Sequence, residues 1–431
     1  KTDDLVTLTT ASIRELTSTQ LAGLSTSQVA SLTTTQFAAL TSAQLAASLS
    51  SSMIRALSTG QLQTLSSTTL ASLTSSQISA LTTDELISLA TSQIAGFTTS
   101  QVTALTSEQL VAMTTYQISN LNTLQLTSLS AAQIKSIETS DLAAITASNF
   151  AALKTNQIAG LSIDQVASLT TDQVDAMLTS QLSSFSTAMI RALRQDQFLE
   201  LSSLQLKSLS NTQISAIEIE DLAMIAGNYL DGFSSSQLAA FTTEQLASIS
   251  SEQLTNLSTW QLSGLSASQL KSLTVENISA MSTSQLVALK PSQMSGLSVD
   301  QVTSLTTDQI KVLTTSQLVG VLNTSMIQAL NTAQFAQLST SQIQSLSASQ
   351  VASMETVDLN SLSTAQIVAL KTSQLAALST LQIAALSTLQ VRNMGTSQLV
   401  SLSVAQLKAI ETTDVAALTL TQLSTMKSSQ L

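Results

Sequence analysis

The residues of this chain that could do chemistry are carboxylates spaced three residues apart. Glu138 precedes Asp141 and Glu411 precedes Asp414 with this spacing. Two carboxylates held close together can act as a general acid and a general base, and oxygen ligands of this kind also bind Ca²⁺. These pairs recur along a regular repeat, so the sequence indicates no unique catalytic pocket.

Other side chains used in catalysis are missing. The 431 residues contain no His and no Cys, which excludes Ser-His-Asp and Cys-His nucleophilic sites and the usual zinc sites. The sequence also lacks a GxGxxG motif and a P-loop, so nucleotide binding by those routes is excluded. We predict that the chain is not an enzyme, with no catalytic residues, no cofactor and no metal site.

The acidic pairs are variants of an octapeptide that covers nearly the whole chain. Residues 25–32, 33–40 and 242–249 have Ser or Thr at position 1, Gln at position 4 and apolar residues at positions 5 and 8. Positions 1 and 4 have the spacing of a capping box, in which the hydroxyl accepts the N3 amide hydrogen and the Gln side chain reaches back to the N-cap amide. Positions 5 and 8 share one helical face. The octad therefore predicts one short capped helix.

A single continuous helix does not suit this repeat. Eight residues turn through about 800°, which is two turns plus about 80°, so the apolar stripe would rotate from one octad to the next. One octad is also unstable alone, because burying two apolar side chains contributes about 3–6 kcal/mol while ordering eight backbone residues costs about 8–16 kcal/mol. Neighbouring octads must therefore stack, as in a solenoid.

We predict an all-α solenoid of stacked capped mini-helices, one per octapeptide. The alternative is a β-solenoid, since Thr, Ile and Val favour strands. Only 10 Gly residues in the chain leave few turn-formers for tight β corners. Positions 5 and 8 would also point to opposite faces of a flat strand.

The remaining octad positions differ in side-chain size. Position 7 is nearly always small, as at Gly96 and Gly160, which predicts that it faces a neighbouring backbone at close range. Position 6 accepts Lys135, and position 3 accepts Tyr116 and Trp260. We predict that positions 6 and 3 face solvent.

A longer period is superimposed on the octad. Met53, Met189 and Met326 replace the Gln of position 4, and each lies seventeen octads after the one before, with one extra residue in the second interval. We predict one continuous octapeptide solenoid over residues 1–431, with seventeen-octad modules at approximately 53–188, 189–325 and 326–431, the last incomplete. Either a history of duplication or a recurring place on a larger superhelix would explain this period.

A set of six octads lacks Gln and carries carboxylates, and these octads begin at residues 82, 138, 218, 274, 355 and 411. If adjacent coils brought two such octads together, their oxygens could bind Ca²⁺. The alternative is that Asp replaces Gln near a helix N-terminus, where negative charge is favourable. Calcium is therefore an open alternative and not an expected ligand.

Charge and hydropathy exclude two classes of partner. The net charge is −11, with 15 basic residues spread thinly, whereas nucleic-acid binding needs clustered Lys and Arg. No apolar run approaches the roughly 18 residues of a membrane span. We predict neither nucleic-acid binding nor membrane insertion.

The Leu-Thr-Thr-x-Gln-Ile/Val-x-Ala-Leu pattern resembles the Ser/Thr/Gln-rich octapeptide arrays of very large bacterial surface and adhesin-like proteins, over almost the whole chain. This resemblance implies secretion, an extracellular or cell-surface location, and a surface fibre or adhesin stalk; it carries no functional residues across. Neither end has the atypical polar repeat that usually caps a solenoid, so we expect a segment of a longer chain.

The function that we expect is structural. The chain would form an extracellular filament, sheath or stalk and would associate with itself or with neighbouring copies. The alternative is an adhesin that binds a surface or a glycan through one face of the solenoid.

Overall fold

The computed structural model describes residues 1–225, 227–428 and 430. Within these residues there are 52 α-helices, one 3₁₀ helix and no strand. The all-α solenoid prediction is confirmed, and the β-solenoid alternative is wrong. The chain forms two compact units, residues 1–217 and 218–431, and each is described by itself.

The first unit contains 27 helices. They are α1 Thr2–Val6, α2 Thr10–Arg14, α3 Ser18–Ala22, α4 Thr26–Ser31, α5 Thr34–Ala38, α6 Ser42–Ser48, α7 Ser51–Ile54, α8 Thr59–Gln63, α9 Ser67–Ala71, α10 Ser75–Ile78, α11 Thr83–Ile87, α12 Thr91–Ala95, α13 Thr99–Thr103, α14 Ser107–Ala112, α15 Thr115–Ser119, α16 Thr123–Ser128, α17 Ala131–Ser136, α18 Thr139–Ala143, α19 Ala147–Ala151, α20 Thr155–Ile158, α21 Ile163–Ser168, α22 Thr171–Asp175, α23 Thr179–Leu182, α24 Thr187–Arg191, α25 Gln195–Leu199, α26 Ser203–Lys207 and α27 Asn211–Ile214.

The second unit continues the pattern with 25 α-helices in its described residues, and a 3₁₀ helix, Gly227–Gly232, takes the place of one of them. The α-helices are α28 Ile219–Met224, α29 Ser235–Leu238, α30 Thr243–Ser248, α31 Ser251–Thr255, α32 Thr259–Leu262, α33 Ala267–Ser272, α34 Val275–Ala280, α35 Thr283–Ala288, α36 Pro291–Met294, α37 Val299–Thr303, α38 Thr307–Val312, α39 Thr315–Val321, α40 Thr324–Ala329, α41 Thr332–Ala336, α42 Thr340–Ser345, α43 Ala348–Ala352, α44 Thr356–Ser361, α45 Thr364–Ala369, α46 Thr372–Ala376, α47 Thr380–Ala384, α48 Thr388–Asn393, α49 Thr396–Ser401, α50 Val404–Lys408, α51 Thr412–Ala416 and α52 Leu420–Ser424.

A capping box begins most helices, as the octad predicts. In α13, the Thr98 hydroxyl accepts the Gln101 amide hydrogen at 3.3 Å, and the Gln101 side-chain carbonyl accepts the Thr98 amide hydrogen at 2.8 Å. Thr98 itself is extended, with φ −69° and ψ 158°. The bend between helices therefore comes from the extended N-cap residue, and no described residue uses a positive φ to make it.

Positions 5 and 8 form the core of most octads. Val102 and Leu105, which follow Gln101, are both buried, and so are most of the equivalent Leu, Ile, Val, Phe and Met residues of the described chain, whereas Leu8 and Val415 are exposed. Position 6 and the large residues of position 3 are exposed, as predicted, at Lys135, Tyr116 and Trp260.

Octads stack with a period of three to four. Within each unit, a helix packs against the helix three places further on, as α13 does with α16 and α46 with α49. Position 7 lies in this contact, because a Cβ atom at Gly96 would lie 2.6 Å from Ser67 Cβ. The prediction that position 7 meets a neighbour at close range is therefore confirmed.

Two octads contain an extra residue, and the helix absorbs it. Helices α6 and α39 each have seven residues, whereas the other α-helices have four to six. Ser48, at the end of α6, is buried, and its hydroxyl has no hydrogen-bond partner among the described residues. The predicted seventeen-octad modules, and their boundaries at residues 53, 189 and 326, stay a prediction.

Candidate functional site

The Gln of position 4 lies at the centre of the contact between turns. Gln101 is only 1% exposed. Its side-chain amide nitrogen donates to the carbonyl oxygens of Leu70 at 2.8 Å and Leu73 at 2.7 Å. Leu70 and Leu73 are positions 5 and 8 of the octad four places earlier, so one Gln caps its own helix and also binds the preceding turn.

We call this repeated arrangement the glutamine ladder. Its members donate to the carbonyls 31 and 28 residues earlier in the same unit. They include Gln93, Gln101, Gln109, Gln117, Gln125, Gln157, Gln165, Gln173, Gln197, Gln205 and Gln213 in the first unit. In the second unit they include Gln253, Gln261, Gln285, Gln293, Gln301, Gln309, Gln317, Gln366, Gln374, Gln390, Gln398 and Gln406.

The ladder satisfies a carbonyl that the helix leaves without a donor. The Leu70 carbonyl also accepts the Leu73 amide hydrogen at 3.1 Å, whereas the Leu73 carbonyl receives a hydrogen bond only from Gln101 within the described chain. An unpaired buried carbonyl costs about 1–3 kcal/mol. Each ladder Gln therefore removes one such cost from the turn before it.

The donor role of Gln was missed in the sequence, although a signal was present. A capping box accepts Glu as readily as Gln at its fourth position, yet Glu85 is the only Glu at position 4 in this chain. Glu offers no N–H donor when ionised, whereas Gln offers two. The strong preference for Gln over Glu therefore indicates that the side chain donates hydrogen bonds as well as accepting one.

Five of the six acidic octads place a carboxylate where the ladder has an amide; the sixth has Asn277, whose side-chain amide donates to the Ile249 carbonyl at 3.2 Å. Glu85 is buried and accepts the Thr82 amide hydrogen at 2.6 Å. Burial raises the pKa of the Glu85 carboxyl above its usual range, although the hydrogen bonds from Thr82 lower it in part. A carboxylate here still caps its own helix, but it has no N–H to donate to the previous turn.

The shorter Asp residues at this position also lie buried. Burial, with a smaller effect from the carboxylates of Glu218 and Glu220, raises the pKa of Asp221 to about 6. Burial likewise raises the pKa of Asp358 above its usual range. The helix N-terminus was one explanation for Asp at this position, but burial opposes the charged form of these two carboxyls.

Asp141 has a donor from the previous turn. The hydroxyl of Thr115, 26 residues earlier, donates to the Asp141 carboxylate at 2.6 Å. Asp414 has no such partner: it is 5% exposed, and no hydrogen bond to its carboxylate exists in the part of the chain that the structure describes. It lies with Glu411, Leu386 and other residues along an open cleft of about 430 Å³.

Within each unit, adjacent turns of the described chain do not bring two acidic octads together, which was the condition for the calcium site left open in the sequence. Octads in contact lie three or four places apart, whereas successive acidic octads are seven or ten places apart. Over residues 1–225, 227–428 and 430, no group of three or more Asp or Glu residues could hold a metal ion.

The other residues singled out in the sequence are dispersed. Tyr116 and Trp260 are each 74% exposed. Met53, Met189 and Met326 are buried at position 4, where a thioether fills space but has no hydrogen to donate. In the described chain, no helix has the length and apolar character needed to cross a membrane.

Comparisons with known proteins find the same repeat. Five segments, residues 1–34, 54–91, 134–171, 278–315 and 351–388, match the sequence model of the ALTTAQ repeat, and together they cover less than half of the chain. A search of curated proteins finds no match.

One similar solved structure is that of the leucine-rich repeat-containing protein LegL7 from Legionella pneumophila. It is 14% identical with a TM-score of 0.15, and the alignment covers 55% of this chain and 78% of that chain. A similarity this weak supports no conclusion about this chain. The recurring ALTTAQ match and the stacked helices together show that this protein is an array of short helical repeats.

Proposed function

We propose that this chain is a structural repeat protein that forms part of an extracellular filament, sheath or stalk. The glutamine ladder carries this proposal. The same bonds join an octad to the octad four places earlier, as at Gln101 and Gln374. Such a contact depends on no unique residue, so repeats can be added without a change in geometry.

The surface chemistry supports a passive role. Charged residues make up only 10% of the chain, against about 25% in typical soluble domains. Exposed positions are mostly Ser, Thr and Ala, and the structure described contains only two ion pairs, one of them between Arg194 and Asp196. A sparsely charged, regular surface suits a spacer, and copies could pack side by side with little charge repulsion.

Electron microscopy tests the proposal. Antibody raised against the purified chain should label filaments or a surface layer on cells of the native source. The purified chain should form extended particles whose width is constant along their length. Labelling confined to the cell interior, or purified particles that are only compact monomers, would overturn the filament proposal.

An adhesin is the second candidate, and its exposed aromatic side chains, which are dispersed along the chain, are the groups through which it would bind a ligand. Trp260 and Tyr116 present most of their ring surface to solvent, and exposed aromatic faces stack well on ligands. Glycan-array binding by the wild-type chain that is lost in Trp260→Ala, but kept in the matched variant Leu204→Ala, would support the adhesin. If the wild-type chain bound no glycan, the adhesin function would be excluded.

A further inference from the structure

Every octad of this chain with Glu at position 1 has Asp at position 4. The four octads concerned begin at residues 138, 218, 355 and 411, and the only other Asp at position 4 is Asp4, which follows Lys1 in the first octad. None of the four Glu side chains accepts the N3 amide hydrogen as Ser or Thr does. Replacing Ser or Thr by Glu and Gln by Asp in the same octad therefore removes the ordinary cap and places two carboxylates three residues apart.

The replacement also leaves carbonyls of the preceding turn without their donor. By the register of the other ladder members, a Gln at position 414 would donate to the carbonyls of Ile383 and Leu386. The Ile383 carbonyl still accepts the Leu386 amide hydrogen at 3.2 Å. The Leu386 carbonyl has no donor among the residues that the structure describes. Asp414 cannot supply one while it is ionised.

The octad at residue 355 repeats this arrangement. Asp358 is 3% exposed, and the carbonyl in the equivalent place of the preceding turn belongs to Leu330, which likewise receives no hydrogen bond within the described residues. Between these two turns, the oxygen atoms that can accept hydrogen bonds, on Asp358 and Leu330, therefore outnumber the groups that can donate them.

We propose that the Glu-x-x-Asp octads at residues 355 and 411, both in the second unit, each bind one Ca²⁺ ion in the place where other octads hold the Gln amide. At the best-defined site, the ligands are the Glu411 and Asp414 carboxylates and the Leu386 carbonyl, and the hydroxyl of Thr388 lines the same cleft. These are hard oxygen ligands of the kind that Ca²⁺ prefers, in a flexible geometry. The cation would balance both carboxylates and the unpaired carbonyl at once.

The site predicts weak binding. It has two carboxylates, no third acidic residue in reach within the described chain, and a cleft open to solvent, so water must complete the six to eight ligands of Ca²⁺. Sites of this kind in extracellular modules have dissociation constants of about 10⁻⁴–10⁻³ M. Binding at these octads does not depend on whether the chain forms filaments.

The test uses the full chain and restores the ordinary octad. Equilibrium dialysis against Ca²⁺ at about 0.1–10 mM, which spans the expected dissociation constants, should find two bound ions per wild-type chain. The double variant Glu411→Ser with Asp414→Gln should bind one ion fewer, and restoring the octads at residues 355 and 411 together should abolish binding. Thermal melting should show a Ca²⁺-dependent rise for the wild-type chain that is lost in the fully restored variant.

A control variant distinguishes specific Ca²⁺ binding from a general effect of the negative charge of the chain. Glu244→Ser with Glu252→Gln removes two exposed carboxylates from octads that keep their Gln, and this variant should still bind two ions. The proposal would be overturned if the fully restored variant bound as much Ca²⁺ as the wild-type chain. It would also be overturned if Mg²⁺, or Na⁺ at the same ionic strength, raised the melting temperature as much as Ca²⁺ does. The melting curve in the absence of Ca²⁺ shows directly that each variant is folded.

Discussion

Replacing one ladder glutamine by methionine separates the two roles of position 4. Gln101→Met keeps an unbranched side chain of similar length, and the chain already uses Met in this position at residues 53, 189 and 326. The substitution removes both hydrogen bonds to the preceding turn, which join the amide of Gln101 to the carbonyls of Leu70 and Leu73. It also weakens the cap, because a thioether is a poor acceptor.

The two lost bonds are not equivalent. The Leu73 carbonyl would be buried with no donor, at a cost of about 1–3 kcal/mol. The Leu70 carbonyl keeps the Leu73 amide hydrogen, so it loses a second bond with a net value of about 0.5–1.5 kcal/mol. We expect a local destabilisation of about 2–4 kcal/mol, most of it from Leu73.

Amide hydrogen exchange of the full chain, followed by mass spectrometry, measures this effect locally. A repeat array opens by segments, so one global unfolding free energy would average the change away. Peptides that cover residues 66–73 and 98–105 should exchange about 30- to 700-fold faster, since each 1.4 kcal/mol is a factor of ten. Peptides more than two turns away should be unchanged.

Gln20→Met is the matched control. Gln20 accepts the Thr17 amide hydrogen at 2.8 Å, and its amide donates to no carbonyl in the described structure. This control removes only the cap, which is worth about 1 kcal/mol. If Gln101→Met accelerated local exchange no more than Gln20→Met, the ladder would contribute nothing and the reasoning would be refuted.

Other substitutions probe the same contacts. Met189→Gln should restore a ladder member and slow the exchange of residues 158–161 and 186–193 by about tenfold, from a net gain near 1 kcal/mol; faster exchange would contradict this. The folded chain holds the proton of Asp221 more tightly than the unfolded chain does, because burial raises its pKa, so stability should rise as the pH falls through 6 towards 3.8. Asp221→Asn should flatten that rise in melting temperature, measured in calcium-free buffer, and an unchanged profile would count against it. Gly96→Val should destabilise its octad by about 1–3 kcal/mol in hydrogen exchange, because a Cβ would lie 2.6 Å from Ser67 Cβ. Gly23→Ala is its control, because the nearest atom to a Cβ there is a backbone oxygen of its own helix at 3.4 Å; equal effects of the two substitutions would exclude the close contact.

Much of the local structure was predictable. The Ser/Thr-x-x-Gln spacing predicted where helices begin, and Thr98 and Gln101 form that box. Small residues at position 7 predicted a close neighbour, which at Gly96 is Ser67. The first prediction succeeded because capping acts over three residues, within a single octad. The second succeeded because a close neighbour requires a small side chain whichever octad that neighbour belongs to.

The contact between turns was not predictable from the same pattern. The apolar residues of positions 5 and 8 face inward whether a turn contains three, four or five octads, so the sequence did not specify which octads touch. For that reason the sequence left open whether acidic octads meet on adjacent coils, and within each unit the described structure shows that they do not. The Leu386 carbonyl, which completes the proposed calcium site of Asp414, belongs to no motif and became visible only when the turns were stacked.

The sequence by itself determined the capped helix of each octad, the inward face of its apolar residues and the absence of His and Cys chemistry. Only the tertiary structure decided that the amide of a Gln such as Gln101 serves the turn before it. The physical reason is that capping is a bond within one octad, whereas the ladder joins side chain to backbone across four octads. That separation depends on how many octads complete a turn, and packing sets this number.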